Sequence, residues 1–420
     1  MAGQISVGAD VLPARGRESV GAQGWIHSPG WDKRWIIFPA LLAPVPPLLY
    51  YVSLYLLGRF TGMDAATRNG AAEDIVSLFV MVLVGGPHVW VTFTRTWLHP
   101  EFRAREKFWY IASFAVVPTV AIMALSSELT RKLLLTGFFF IASLHIIHQL
   151  SYIIRFYQDR DSVKPSLRSR LIDIGAVVFP LYPLSTFRMV MVNENSMAFA
   201  WATQWFGLDQ ARALKFNIGR AHPLLPDFIL SDWFWMMNLL ALVVALTLWI
   251  AKTVKEHRAG TLQQGKFLLI ACAIGVGLFC PLWPNLDSSF QGFNLWHSLQ
   301  YIALTWFIMR LQIQKGRKVS PFVKWLSNDD RSGSRYYGVA FGIVVGLIAL
   351  ILGIAFMLTQ FQSVGMFAGH GEPGAINYKP GAILQAYYLF GFGLLLTHYF
   401  HDAFLFNLHT FNKTAVNTRD

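Results

Sequence analysis

Residues 141–157 have the sequence IASLHIIHQLSYIIRFY. The segment is apolar enough to enter a bilayer, yet it carries His145 and His148 one helical turn apart, on a shared helix face. Placing an ionisable side chain at membrane depth is costly, so such a residue normally faces the interior of a helical bundle and has a function. This stretch therefore predicts a membrane helix with a polar, functional face.

The composition of the whole chain agrees with this interpretation. Of 420 residues, 54% are hydrophobic and only 14% are charged, whereas a soluble domain carries roughly 25% charged residues. Several apolar segments reach the roughly 20 residues that a membrane-spanning helix needs. The sequence predicts an all-α, polytopic transmembrane bundle of about ten spans, at residues 36–57, 74–93, 109–125, 133–157, 171–192, 230–251, 267–282, 290–313, 337–360 and 381–408.

The basic residues predict the orientation of these spans. Most of the 35 Lys and Arg residues fall in alternate connections, as the positive-inside rule requires for loops on the cytoplasmic side. Both termini are then cytoplasmic, and we expect a multi-pass protein of a bacterial inner membrane. A basic face for nucleic acid is excluded, because the charges lie in short clusters between apolar segments.

The same pattern defines the domain organisation. Residues 1–33, rich in Gly, Ala, Arg and Ser, are expected to form a flexible cytoplasmic tail. Residues 34–410 form a single transmembrane domain with a long outer loop at 193–229, and residues 411–420 form a C-terminal tail. Four prolines between residues 39 and 47 predict an irregular first span, because each proline removes a backbone hydrogen-bond donor.

Six histidines fall inside predicted spans, and all of these spans run in the same direction across the membrane. His88 and His297 occur singly, His145 and His148 form one pair, and His398 and His401 form another that is followed by Asp402. Residues three and four apart share a helix face, so each pair presents two nitrogens to the same neighbour. We expect these side chains to converge on a metal.

The ligand type narrows the choice of metal. Neutral imidazole suits iron, copper and zinc, and non-haem iron, as one or two ions, is the first choice here. A histidine ligand also needs a hydrogen-bond partner that fixes its tautomer. The candidates for this supporting role are Gln149, Gln300, Tyr301 and Asp402.

Three further residues are weaker candidates. His99, beside Pro100, and His409, near the end of the last span, are possible additional ligands. Arg95 could neutralise an acidic substrate group, but a role as an anchor at the membrane interface is favoured.

Gly85-Gly86-Pro87-His88, followed by later intramembrane histidines, resembles the bacteriorhodopsin-related membrane family that cleaves β-carotene. That family has a Pro-His motif and further helix histidines that are thought to bind iron. The resemblance implies a histidine-ligated iron and oxygen-dependent chemistry on a lipid. The H-x-x-x-H and H-x-x-H-H boxes of membrane desaturases and hydroxylases are absent from the sequence.

The leading hypothesis is an oxygen-dependent, non-haem iron oxidoreductase, such as a dioxygenase. The six intramembrane histidines and Asp402 would form its catalytic site. Its partners would be O2, membrane lipids and a lipophilic substrate such as a carotenoid, a terpenoid or a fatty acyl chain, and an electron-transfer partner remains open. Three alternatives also remain: a bis-histidine haem protein of electron transfer, a proton- or metal-coupled transporter, and a purely structural polar network.

Overall fold

The computed structural model describes residues 24–160, 165–215, 224–329, 331–363 and 385–405. Within these ranges the chain is helical and contains no strand, which confirms the predicted all-α class. The helices, in chain order, are α1 (Pro29–Phe60), α2 (Ala65–Arg95), α3 (Lys107–Ser126), α4 (Glu128–Asp159), α5 (Leu167–Val190), α6 (Met197–Phe206), α7 (Leu208–Ala213), α8 (Asp232–Arg258), α9 (Gln264–Phe279), α10 (Leu286–Gln314), α11 (Pro321–Ser327), α12 (Ser332–Ser363) and α13 (Phe392–Leu405). A short helix, Pro100–Arg105, joins α2 to α3, and a 3-10 turn, Asp227–Leu230, precedes α8.

Seven of these helices are long and apolar enough to cross a membrane: α1 to α5, α8, and α12 as far as Gln360. The other three predicted spans coincide with α9, α10 and α13. α9 has only 16 residues, α10 is long but rich in polar side chains, and α13 continues a span whose first residues lie outside the described ranges. A multi-pass membrane protein is supported, whereas the number of ten spans and the cytoplasmic termini remain predictions.

Helix α10 lies at the centre of the bundle. Its side chains are buried on all faces, and Trp296 and Tyr301 are among the largest fully buried side chains described. Gly292 permits the closest approach, because a Cβ atom there would lie 2.2 Å from the Ala43 carbonyl oxygen of α1. The central position explains the polarity of α10: its Ser, Gln and His residues face other helices and not lipid.

Helix α2 changes its winding just before the first histidine. Residues Met81–Gly85 form a single π-helical turn, a local widening that is frequent at functional sites. Pro87 cannot donate a hydrogen bond to the Leu83 carbonyl four residues earlier, and the Tyr337 hydroxyl of α12 donates to that carbonyl at 2.7 Å. Another π-helical turn, Tyr387–Gly391, lies just before α13, the helix that carries His398.

The N-terminal end of α1 is packed into the bundle. Its first half contains π-helical and 3-10 turns, Lys33–Ile37 and Phe38–Leu42, in agreement with the irregular span predicted from the prolines. Asp32 is fully buried; it accepts hydrogen bonds from the Ile26 backbone N–H at 2.7 Å and from the Tyr157 hydroxyl at 2.8 Å. The packed chain therefore includes residues 24–33, which the sequence assigned to the tail.

The predicted outer loop contains the two short helices α6 and α7. The sequence predicted only a long loop here and did not predict either helix. Buried Arg188 holds this region against the bundle by donating to the carbonyl oxygens of Leu214, Trp283 and Pro284 at 2.7–2.9 Å.

Candidate metal centre

Four histidines from four helices meet in the middle of the bundle. His88 comes from α2, His145 from α4, His297 from α10 and His398 from α13. The Nε2 atoms of His88 and His398 are 2.6 Å apart, those of His145 and His297 are 2.9 Å apart, and those of His398 and His145 are 3.3 Å apart. All four side chains are at least 94% buried. The nitrogens therefore point at one another in a dry interior.

Asp402 adds a carboxylate to this group. It lies one turn after His398 on α13 and is fully buried. Its Oδ2 atom lies 3.7 Å from His398 Nε2 and 3.7 Å from His145 Nδ1, and this oxygen has no hydrogen-bond partner among the described residues. His88, His145, His398 and Asp402 each offer a ligand atom, and these four atoms lie within 4.8 Å of one another.

A chain of hydrogen bonds orients one ligand through another. The Tyr301 hydroxyl donates to Asp402 Oδ1 at 2.6 Å, the Thr92 hydroxyl lies 2.7 Å from the Tyr301 oxygen, and His398 Nδ1 lies 2.6 Å from Thr92. The Tyr301 hydroxyl has a single proton, and it donates that proton to Asp402. The donors must then run from the His398 Nδ1–H through Thr92 and Tyr301 to Asp402. This direction leaves a lone pair on His398 Nε2, which faces the cluster.

The comparisons with known proteins add no relative. No family model matches the sequence. No curated protein and no solved structure gives a match either. The interpretation of the cluster rests on its own geometry.

That geometry fits a bound cation. Adjacent nitrogen ligands of one ion lie about 3 Å apart when each metal–nitrogen bond is about 2.1 Å, and the three Nε2 contacts of 2.6–3.3 Å are close to this value. The Nε2 atom of His398 lies between those of His88 and His145, and the Nε2 atom of His297 approaches that of His145. A cation would relieve the repulsion between their lone pairs, and the carboxylate would offset part of its charge.

The other two predicted ligands lie outside the cluster. His148 is only half-buried, and it does not belong to the group whose ligand atoms lie within 4.8 Å of one another. His401 is fully buried, but its Nδ1 atom bonds with the Thr96 hydroxyl at 3.1 Å. Aromatic rings surround His401 at 5.8–6.1 Å, namely Phe93, Trp97, Phe102 and Phe400.

The predicted supporting residues have different roles. Tyr301 bonds directly with Asp402. Gln149 donates to the His297 carbonyl oxygen at 3.0 Å, and Gln300 donates to the Ile36 carbonyl oxygen at 2.5 Å. The two glutamines therefore fix α4 and α1 against α10, and they act on the cluster through the positions of the helices.

Of the weaker candidates, His99 lies away from the cluster, Arg95 lies close to it, and His409 falls outside the described residues. His99 is buried and caps the short helix Pro100–Arg105 that follows α2. Its Nε2 atom bonds with Gln312 Oε1 at 3.0 Å, and its Nδ1 atom accepts from the Phe102 backbone N–H at 3.4 Å. Burial lowers the pKa of His99 below its ordinary value, and the bond with Gln312 opposes that shift. Arg95 is buried, and its charge interacts with Asp402 and Tyr301 of the cluster. His409 falls in the part of the chain that is not described.

Sequence reasoning missed two threonines, Thr92 and Thr96, which bond with His398 and His401. A signal for them was present. Thr92 lies four residues after His88 and Thr96 four residues after Thr92, so all three share one face of α2. A polar residue at this spacing from a ligand is a candidate for orienting another ligand.

Proposed function

We propose that the protein is an integral-membrane oxidoreductase that binds non-haem iron through histidines and oxidises a lipid-soluble substrate with O2. The observation that supports the proposal is the convergence of four buried imidazoles and one carboxylate. His88, His145 and His398 would bind the metal through Nε2, and Asp402 would bind it through Oδ2. His297 would lie beside these ligands, with its Nε2 atom 2.9 Å from that of His145. Histidine and carboxylate ligands together are typical of non-haem iron sites, in which open coordination positions accept O2.

An ion is favoured over a haem by the spacing of the rings. In a bis-histidine haem, the macrocycle lies between the two axial imidazoles. The ring centroids of His88 and His398 are 4.4 Å apart and their Nε2 atoms are 2.6 Å apart. The contacts between rings leave no space for a macrocycle, so the haem alternative would require the cluster to open.

The protein residues would prepare the site in three ways. Tyr301 holds Asp402 through Oδ1 and leaves Oδ2 directed at the histidines. Thr92 keeps the proton of His398 on Nδ1, away from the metal. The packing of four helices excludes bulk water from all five side chains. Iron bound there would supply the redox chemistry for activating O2.

A lipid-soluble substrate is favoured by the surroundings of the cluster. Phe93, Trp97 and Phe114 form a continuous stack, with ring centroids 4.3 Å and 5.0 Å apart. Phe114 is 51% exposed at the apolar surface, whereas Phe93 is 7% exposed and touches His401, the residue before Asp402. The stack offers an apolar substrate a path from the bilayer to the site. A dioxygenase would place both atoms of O2 in this substrate, while a monooxygenase would also need an electron-transfer partner.

Metal analysis of the detergent-purified protein tests the proposal. We expect about one iron per chain in the wild type, in line with one cluster, and little or none in a His145→Ala/His398→Ala double variant. His148→Ala is the matched control, because His148 lies three residues from His145 on the same helix but outside the cluster; it should keep the iron. Negligible iron in both the wild type and the double variant would refute the metal site.

A second measurement separates the reaction classes. An absorption spectrum with a Soret band would establish haem and refute the non-haem centre. Oxygen consumption is then measured with a panel of carotenoids, terpenoids and fatty acyl substrates. We expect consumption with at least one substrate class, and none in the double variant. Metal flux into liposomes without any oxygen consumption would instead support the transporter alternative.

A further inference from the structure

We propose that a groove at the turn between α1 and α2 binds the headgroup of an acidic phospholipid. The groove has a volume of about 480 Å³ and is lined by Leu54, Tyr55, Gly58, Arg59, Arg68 and Asn69. Its volume lies within the usual range for small-molecule sites, roughly 300–1,000 Å³. The site is separate from the histidine cluster and does not depend on the proposed oxidation reaction.

The position of the groove matches the level of lipid headgroups. Arg59 lies in the last turn of α1 and Arg68 in the first turn of α2, so both lie where the chain turns between two membrane-spanning helices. Below them on α1, Tyr55 is 71% exposed and Val52 is 52% exposed. An acyl chain can lie along this apolar surface while its phosphate reaches the two arginines.

The charges in the groove are not balanced by the protein. No carboxylate pairs with Arg59 or Arg68 in the part of the chain that the structure describes. The two nearest acidic residues along α2 have other partners: Asp64 accepts from the backbone N–H groups of Ala66 and Thr67, and Glu73 accepts from the Asn285 side chain at 2.8 Å. Two unbalanced guanidinium groups favour an anion, and guanidinium matches the geometry of phosphate oxygens.

Gly58 shapes the groove. A Cβ atom at this position would lie 2.9 Å from the Arg68 guanidinium nitrogen Nη1. The absence of a side chain lets Arg68 cross over α1 and place its charge beside Arg59. Gly58 therefore offers a way to displace one arginine without removing any charge.

Native mass spectrometry of the full-length protein, with phosphatidylglycerol as the probe, tests this site. We expect the double variant Arg59→Gln/Arg68→Gln to bind phosphatidylglycerol at least tenfold more weakly than the wild type. Gly58→Leu should also weaken binding several-fold, because its side chain takes the space of the Arg68 guanidinium. The control is Arg212→Gln/Lys215→Gln, which removes two positive charges that already pair with Glu194; its affinity should not change.

Three results would overturn the proposal. Unchanged affinity in both groove variants would show that the lipid binds elsewhere, and an equal loss in the control would show an effect of net charge alone. Equal affinity for phosphatidylcholine would remove the selectivity for an acidic lipid. Glycerol phosphate, the headgroup without acyl chains, should bind far more weakly; binding as tight as that of the lipid would identify a soluble phosphate ligand instead. If the double arginine variant does not fold, Gly58→Leu and the two lipids decide the outcome.

Discussion

Two buried polar clusters in this protein differ in how their charges are arranged. Around Asp173 of α5, Lys252 of α8 lies 2.5 Å from Oδ1, Lys266 of α9 lies 3.5 Å from Oδ2, and the Gln158 amide donates to Oδ2 at 3.0 Å. Glu256 lies 3.1 Å from Lys252, so this cluster contains two acidic and two basic residues. The histidine cluster instead joins four like groups and one carboxylate.

The difference indicates which cluster has a function beyond stability. The charges of the Asp173 cluster are complete without a ligand, because each has a partner of opposite sign within the protein, although the Gln158 side-chain oxygen has no hydrogen-bond partner among the described residues. In the histidine cluster, Asp402 Oδ2 and the Nδ1 atoms of His88 and His297 lack hydrogen-bond partners among the described residues. Buried polar atoms without partners are costly, so an incomplete cluster points to a missing component, whereas a complete one points to structure.

The largest expected effect comes from breaking the complete cluster. Asp173→Ala leaves buried Lys266 without its acid, whereas Lys252 keeps Glu256 as a partner. Removing one partner of a buried ion pair costs about 3–5 kcal/mol. We expect a corresponding loss of thermal stability in detergent, with the iron content per folded chain unchanged. Loss of iron together with stability would mean that the two clusters are coupled.

Removing the metal should act on the other cluster alone. A ligand present at 100 to 1,000 times its dissociation constant stabilises the folded state by about 3–4 kcal/mol. Treatment with an iron chelator should therefore lower the melting temperature of the wild type. It should not lower that of His145→Ala/His398→Ala, which has no ion to lose. An identical decrease in both proteins would contradict a metal in the histidine cluster.

Tyr301→Phe tests the orientation of the carboxylate. The substitution keeps the ring but removes the hydroxyl that donates to Asp402 and lies next to Thr92. Loss of a residue that orients a metal ligand typically weakens metal binding 10–100-fold, and we expect a decrease of that size in an iron titration. Tyr336→Phe is the matched control: this buried hydroxyl contacts Thr94 and not the cluster, so iron affinity should be retained.

The smallest expected effect concerns a histidine outside both clusters. The pKa of His99 is lowered by burial, so the unfolded chain binds its proton more readily than the folded chain. The stability contributed by neutral His99 is present above its ordinary pKa of about 6.5 and is lost as the pH falls below that value.

A comparison of wild type and His99→Asn at two pH values measures this contribution. Protonation of Nδ1 removes its bond from the Phe102 N–H, a helix cap worth about 1 kcal/mol. We expect the wild type to lose about this much more stability than the variant between pH 7.5 and pH 5.5. Equal losses would show that His99 does not titrate in this range. The iron content at pH 7.5 should be the same in both proteins.

The sequence predicted the helical class and much of the candidate site, for physical reasons. Buried polar residues stand out in apolar segments, so the histidines and Asp402 were visible from hydropathy and spacing alone. The sequence could not show which of His145 and His148 faces the cluster. Both lie on one face of α4, and the rotation of α4 against α10 decides which ring points inward. Thr92 was missed because a single threonine in an apolar helix is common.

Hydropathy also explains why two helices were difficult to assign from the sequence. The interior helix α10 is polar because it touches protein on every side, so it does not meet the criteria for a lipid-facing span. Helix α6 was missed because its exposed aromatic residues were interpreted as part of a loop at the membrane interface. Its exposed Trp201 and Trp205 are typical of the aromatic residues that line membrane interfaces. That pattern does not distinguish a short helix from a loop.

The π-helical turn at Met81–Gly85 determines how the histidine cluster, the proposed metal site, can change in evolution. Such a turn contains one residue more than the α-helical turn it replaces, and one residue corresponds to about 100° of rotation around the helix axis. Deleting a single residue there would swing His88 away from its three counterparts while leaving every ligand in the sequence. Descendants of this chain can therefore gain or lose the centre through an insertion or deletion of one codon, without any replacement of a histidine.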